Sequence, residues 1–155
     1  MPTSQRVLFQ IGGWACVVLA IFHFIGFLQE PQPSNDTERT LMGLMSTYKM
    51  NLLGVERSMS DLLNGFSLSF SLFNAFIGAL SLAALRSQPS QLLIRTLALI
   101  NTIGYGALVA LSLSYWFWLP TFFLVVILIS FAGSFMAAST STVQVPMAAS
   151  SNARK

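Results

Sequence analysis

The sequence is poor in charge, and poorest in acid. Its five Asp and Glu residues all fall between Glu30 and Asp61, and 8% of the 155 residues are charged while 54% are hydrophobic. Soluble domains carry about 25% charged residues, so a water-facing globular surface is excluded. Cysteine is nearly absent. Cys16 alone permits neither an internal disulfide nor a cysteine cluster for zinc or an iron–sulfur centre. The chain has no HExxH, no glycine-rich phosphate loop after a strand and no nucleophile elbow. No cofactor and no metal is therefore expected. The eight Lys and Arg form no basic run, so the net charge of +3 points to anchoring at a membrane face and not to nucleic acid.

Long apolar runs are what the chain has in abundance. Four of them, 7–28, 62–85, 92–113 and 119–138, are each roughly 20 to 24 residues long, and ~20 suffice to cross a bilayer as a helix. The first exceeds a secretory signal core and ends at Gln29-Glu30-Pro31 without a small-x-small cleavage site, so it reads as a retained span. The expected fold is all-α: a four-helix transmembrane bundle forming a single domain over 1–138. An outer loop, 29–61, precedes the second span. The tail, 139–155, is rich in Ser, Thr and Ala and is expected to be disordered. Arg6, Arg86, Arg95, Arg154 and Lys155 fall on one side of the spans, and Arg39, Lys49 and Arg57 fall on the other among all the acids. The positive-inside rule makes the first side cytoplasmic. Both termini then face the cytoplasm, from a bacterial inner membrane.

The outer loop has its own pattern. Asn35-Asp36-Thr37-Glu38 reads as a capping box, with Glu38 reaching back to Asn35. Leu41, Leu44, Met45, Tyr48, Leu52 and Val55 then recur at helical spacing, which predicts an amphipathic helix that Gly54 ends or bends. Ser58-Met59-Ser60-Asp61 repeats the cap chemistry at the start of the second span. Met42, Met45, Met50 and Met59 offer thioethers of the kind that suits Cu(I), but their spacing is that of an apolar helix face, and methionine fills irregular gaps.

Within the second span, Ser60, Asn64, Ser67, Ser71, Asn74, Gly78 and Ser81 share one face, opposite Phe66, Phe70, Phe73 and Phe76. Small residues let helices approach and polar ones bond across the contact. Matching strips are Gly12, Gly13, Cys16, Ala20 and His23 in the first span, Asn101, Gly104, Tyr105 and Ser112 in the third, and Ser130, Gly133, Ser134 and Ala137 in the fourth. Such a seam is either helix packing or the wall of a polar cavity. Asn74 and Asn101, both near the bilayer midplane by residue count, keep the cavity reading open, and they can also bond each other.

His23 is the only histidine and lies roughly 7 to 8 Å inside the outer end of the first span, with Asn64 at a similar depth on the second. Asp61, Arg57, Glu56 and Glu30 lie just above. A histidine with a carboxylate neighbour can act as a general base or proton relay, which makes His23 and Asp61 the catalytic candidates. His23, Arg57, Asp61, Asn64, Asn74 and Asn101 form the candidate ligand-binding set. Structural roles compete with each: His23 as an interhelical hydrogen-bond donor to Asn64, Asp61 as a helix-terminal carboxylate. Arg95 is expected to extend toward the head groups.

Gly54-Val55-Glu56-Arg57-Ser58, Asp61 and Gly65-Phe66 resemble the start of the second span in a family of small bacterial four-helix integral membrane proteins with no assigned activity, whose pattern is Gly-x-x-Arg-x-x-x-Asp followed by Gly-Phe, with a histidine in the first span. In place of that family's aromatics beside the aspartate stand Ser60, Leu62 and Leu63. The resemblance implies fold and a bacterial membrane, and transfers no catalytic residue. The sequence thus points to a membrane protein in contact with lipids that binds a lipid or other hydrophobic small molecule, or serves as an accessory subunit to a membrane-protein partner or homo-oligomer. The alternative is a membrane enzyme doing acid/base chemistry on an apolar substrate with His23 and Asp61.

Overall fold

The computed structural model describes residues 1–29 and 31–140, so the tail expected to be disordered lies outside the described residues beyond Thr140. The elements in chain order are α1 (Thr3–Phe27), α2 (Asp36–Thr47), β1 (Lys49–Leu52), β2 (Val55–Ser58), α3 (Met59–Arg86), α4 (Gln91–Tyr115) and α5 (Trp118–Thr140). Helices α1, α3 and α4, together with Trp118–Ala138 of α5, are long and apolar enough to cross a membrane. The shortest of these, 21 residues, is about 31 Å long, matching the hydrocarbon core. Large apolar side chains such as Ile21, Phe66, Phe73, Phe76, Ile103 and Ile129 are exposed along them. Water does not tolerate apolar faces of this extent. The chain is a small multi-pass integral membrane protein of the all-α class.

The described residues form two compact units, Cys16–Ile77 and Met1–Ala15 with the described residues from Gly78 onward. In the second of these, α4 and α5 form an antiparallel pair bonded at both ends. The hydroxyls of Ser112 and Thr121 hydrogen-bond beside the connecting turn. At the far end, Gln91 Nε2 donates to the Ala138 carbonyl at 3.1 Å, and the Arg95 guanidinium lies 5.1 Å from the centre of the Phe135 ring. Arg95 is half-buried there, its charge held against an aromatic face. Ser90 caps α4 by accepting from the Leu93 N–H. Pro120 falls in the first turn of α5, where a missing N–H removes no helical bond.

The start of α1 packs on α5 through notches. A Cβ on Gly12 would meet the Phe131 ring at 3.0 Å, and one on Gly133 would meet Leu8 at 3.2 Å. Each glycine therefore admits a large side chain of the other helix. Phe131 is wholly buried, with Phe9 edge-on at 5.3 Å and Tyr105 stacked at 6.1 Å. Ser134 Oγ donates to the Gln5 carbonyl at 3.0 Å in the same buried layer. The Gln5 side-chain amide is also fully buried and has no hydrogen-bond partner among the described residues. Gly13 takes Leu82 of α3 in the same manner, at 3.1 Å from its would-be Cβ.

In the Cys16–Ile77 unit the outer loop departs from expectation. Asn35 caps α2, its Oδ1 accepting the Glu38 N–H at 2.9 Å, but Glu38 returns the bond to the N–H of Ser34 and not to that of Asn35. The helix then stops at Thr47, well before Val55. Ser46 and Thr47 both turn their hydroxyls onto the Gly43 carbonyl. Residues 49–58 instead form an antiparallel hairpin pairing Lys49 with Ser58 and Leu52 with Val55. Its two-residue turn holds Leu53 at φ 55° and Gly54 at φ 89°, the left-handed pair that matches strand twist. Asn51 Oδ1 accepts the Gly54 N–H at 2.8 Å and braces that turn. A helix through this region would forfeit that brace. Leu52 and Val55 keep helical spacing only because a two-residue turn separates them.

The faces of the spans follow the expected seam in part. Ser71, Asn74, Gly78 and Ser81 are buried on α3, as are Gly12, Gly13, Cys16 and Ala20 on α1 and Ser130 and Ser134 on α5. Asn64 and Gly104 are exposed, which corrects their assignment to inward faces. A Cβ at Gly104 would meet nothing within 4 Å.

This contrast is testable. Gly12→Leu should lower the thermal midpoint of the purified protein, by an overpacking penalty of about 1 to 3 kcal/mol, whereas Gly104→Leu should not. Equal loss in both would refute the notch assignment.

Candidate functional site

The residues proposed for acid/base chemistry are separately engaged. Register in the hairpin sets Lys49 opposite Ser58, and Ser58 is the residue that caps α3. The Ser58 hydroxyl accepts the Asp61 N–H at 3.1 Å, and Asp61 Oδ2 accepts the Ser58 N–H at 2.8 Å, the reciprocal box that the sequence signals. Lys49 Nζ reaches the same carboxylate oxygen at 3.2 Å. Both side chains of this ion pair are about half exposed, so its direct stabilisation is small. Its effect is positional: it fastens the first strand to the start of the membrane helix.

His23 is half-buried on α1 and packs edge-on against Phe70, with ring centroids 4.8 Å apart. Among the described residues its imidazole makes no hydrogen bond or ion pair, and the bond expected to Asn64 is not formed. Asp61 sits roughly 13 Å toward the start of α3 from Phe70, at 1.5 Å per residue. Phe70 lies six residues, roughly 9 Å at 1.5 Å per residue, further along α3 than Asn64, so residue count from the span ends misplaced the partner of His23 along the helix axis. Phe70 is accordingly half-buried beneath His23, unlike exposed Phe66, Phe73 and Phe76.

The remaining candidates are dispersed. Arg57 is exposed and donates to the carbonyl of its neighbour Glu56 at 2.8 Å. Asn74 is buried, and its amide donates to the Phe70 carbonyl one turn earlier at 2.8 Å. Asn101 is half-buried on α4. In the motif that carried the family resemblance, Gly54 makes the hairpin turn and Asp61 caps α3, while Gly65 and Phe66 lie exposed on the helix. Met45, Met50 and Met59 line an apolar cavity of about 310 Å³ with Leu44 and Tyr48.

A larger cleft, of about 470 Å³, lies at the turn between α4 and α5. Trp116, Phe117, Trp118 and Phe122 form its walls, and the bonded hydroxyls of Ser112 and Thr121 form its polar point. Ser112 is fully buried while Phe117 and Trp118 are exposed, so the cleft is open at its rim and polar within. None of its lining residues titrates near neutral pH. The volume is in the range of small-molecule sites. From sequence alone Tyr115-Trp116-Phe117-Trp118 reads as an aromatic belt at a water interface, in which the cleft is not visible. The signal was the pair of hydroxyl residues flanking the aromatics.

Comparison of the chain with protein-family models, curated proteins and solved structures finds no match.

Two substitutions separate capping from ring packing. Ser58→Ala should lower stability by about 1 kcal/mol and speed amide exchange through the hairpin, because the α3 cap and the Asp61 anchor go together. At His23, replacement by Phe should be tolerated and replacement by Ala should not, since the side chain contributes a ring contact. A folded His23→Phe protein with the thermal midpoint of His23→Ala would contradict that role.

Proposed function

We propose that this protein binds a lipid or another hydrophobic small molecule in the cleft between α4 and α5, and does no chemistry on it. The aromatic-walled cleft with one buried hydroxyl pair carries the reading. Such a surface offers an apolar chain a large contact and a single polar group a hydrogen bond, the usual composition of a small-molecule site. The engagement of Asp61 with Ser58 and Lys49, and of His23 with Phe70, supports binding over acid/base catalysis. The rim aromatics also suit a membrane-protein partner, for which this chain would be an accessory subunit.

The same reading sets the protein in a bacterial cytoplasmic membrane, with residues 30–60 outside and both termini inside, from the placement of Lys and Arg about the spans. Membership of the four-helix family, on the pattern from Gly54 to Phe66, belongs to this proposal.

A photoactivatable fatty-acid analogue tests the cleft. Cross-linking should be saturable, concentrate on 112–125, be competed by unlabelled analogue, and fall at least about fivefold in a Phe117→Ala, Trp118→Ala double variant if both rings hold the chain. Labelling spread evenly to Ile103 and Ile129 would reject a site. A co-purifying membrane protein that protects the cleft from labelling would favour the accessory role.

Topology is tested with single cysteines at Ser4 and Ser34 in a Cys16→Ser background. An impermeant thiol reagent applied to intact cells should label the cysteine at position 34 and spare that at position 4. The reverse pattern would invert the orientation.

A further inference from the structure

A second cavity, of about 250 Å³, is lined by Arg6, Gln10, Trp14, Leu82, Leu85 and Arg86. Its walls are two helix stripes: Arg6, Gln10 and Trp14 recur every fourth residue on α1, and Leu82, Leu85 and Arg86 share a face of α3. Gly13, pressed against Leu82, brings the two helices close at the level of Trp14. Below that crossing, α1 runs to its first turn and α3 to its last, so both arginines lie at the same end of the cavity.

Among the described residues the two guanidinium groups meet no protein counter-charge. No Asp or Glu occurs in the sequence outside residues 30–61. Neither arginine side chain makes an ion pair or hydrogen bond among the described residues. Both arginines are exposed on the wall of a cavity whose volume is that of a sphere about 8 Å across, and an anion held between them would lower their mutual repulsion. Arginine is suited to phosphate oxygens because its fork of N–H donors binds two at once.

The lining also changes along the helix axes. Charge at the helix ends gives way to the Gln10 amide and then to Trp14, roughly 12 Å from Arg6 along α1, and to Leu82, roughly 6 Å from Arg86 along α3, at 1.5 Å per residue. That order matches a phospholipid from head group to glycerol to acyl chain, with tryptophan at its preferred interfacial depth. We propose that this cavity binds the phosphate group of an anionic phospholipid, with Arg6 and Arg86 on the phosphate and Trp14, Leu82 and Leu85 against the start of the chains. Basic pockets between membrane helices are suited to such head groups. The site shares no residue with the α4–α5 cleft, so either can fail without the other.

The test uses the full chain in detergent and native mass spectrometry. Phosphatidylglycerol should bind more tightly than phosphatidylcholine of the same chains, and Arg6→Gln and Arg86→Gln should each weaken it by about fivefold while leaving phosphatidylcholine unchanged. Arg39→Gln, in the outer loop beside Asp36, should change neither. Inorganic phosphate should fail to displace the lipid; if it displaces it at millimolar concentration, the lipid assignment falls and a soluble phosphate is the ligand. Unaltered phosphatidylglycerol affinity in both arginine variants, or equal loss in Arg39→Gln, overturns the site. Should the variants misfold, the wild-type preference decides: it should collapse between about 50 and about 500 mM NaCl as charge is screened, and its persistence overturns the proposal.

Discussion

Lipid gives no hydrophobic reward for bringing two apolar helices together, so shape has to do what water does elsewhere. In this protein the shape is a glycine notch filled by a large side chain: Phe131 over Gly12, Leu8 over Gly133, Leu82 over Gly13. Other features hang on these fits. The burial of Phe131 with Phe9 and Tyr105, and the Ser134 bond to the Gln5 carbonyl, exist because α1 and α5 approach to within a missing Cβ. Dispersion over such close surfaces is small per atom pair and large in sum.

The polar residues of the seam play a quieter part than their spacing suggests. Ser71, Asn74, Thr102 and Ser130 each donate to a carbonyl one turn back on their own helix. Their value to the fold includes small size and a donor already satisfied, which supports packing over a polar-lined channel. Among the described residues one hydrogen bond between helices joins Ser134 to the Gln5 carbonyl, and others lie near the ends of the α4–α5 pair, at Ser112 with Thr121 and at Gln91 with Ala138. There they define how the two helices meet, and at the turn they leave the cleft with its polar point.

What could be read from the sequence follows from what each signal encodes. Span length and composition fix the four membrane helices, because a bilayer imposes one length on any helix that crosses it. Cap chemistry fixes the start of α3, because a serine and an aspartate three residues apart have one reciprocal solution. Spacing failed at the hairpin, where Leu52 and Val55 obey the helical interval by accident of turn length, and Gly54 turns a hairpin where a helix end or bend is expected. It failed again at His23, whose ring meets Phe70, six residues and roughly 9 Å along α3 from Asn64, while Asn64 itself is exposed. The aromatic run at the α4–α5 turn was legible as interfacial, but the cleft depends on how Ser112 and Thr121 fold back toward each other.

The inward-bonded hydroxyls and amide have a consequence for how the molecule is made. A helix whose mid-span donors already sit on its own backbone presents little unsatisfied polarity to the bilayer, even before it meets a partner. Such bonds lower the polarity that α3, α4 and α5 carry into lipid on insertion, although the Asn101 amide on α4 has none among the described residues. What such bonds leave for the meeting of helices to decide is shape, whether the right bulge finds the right hollow.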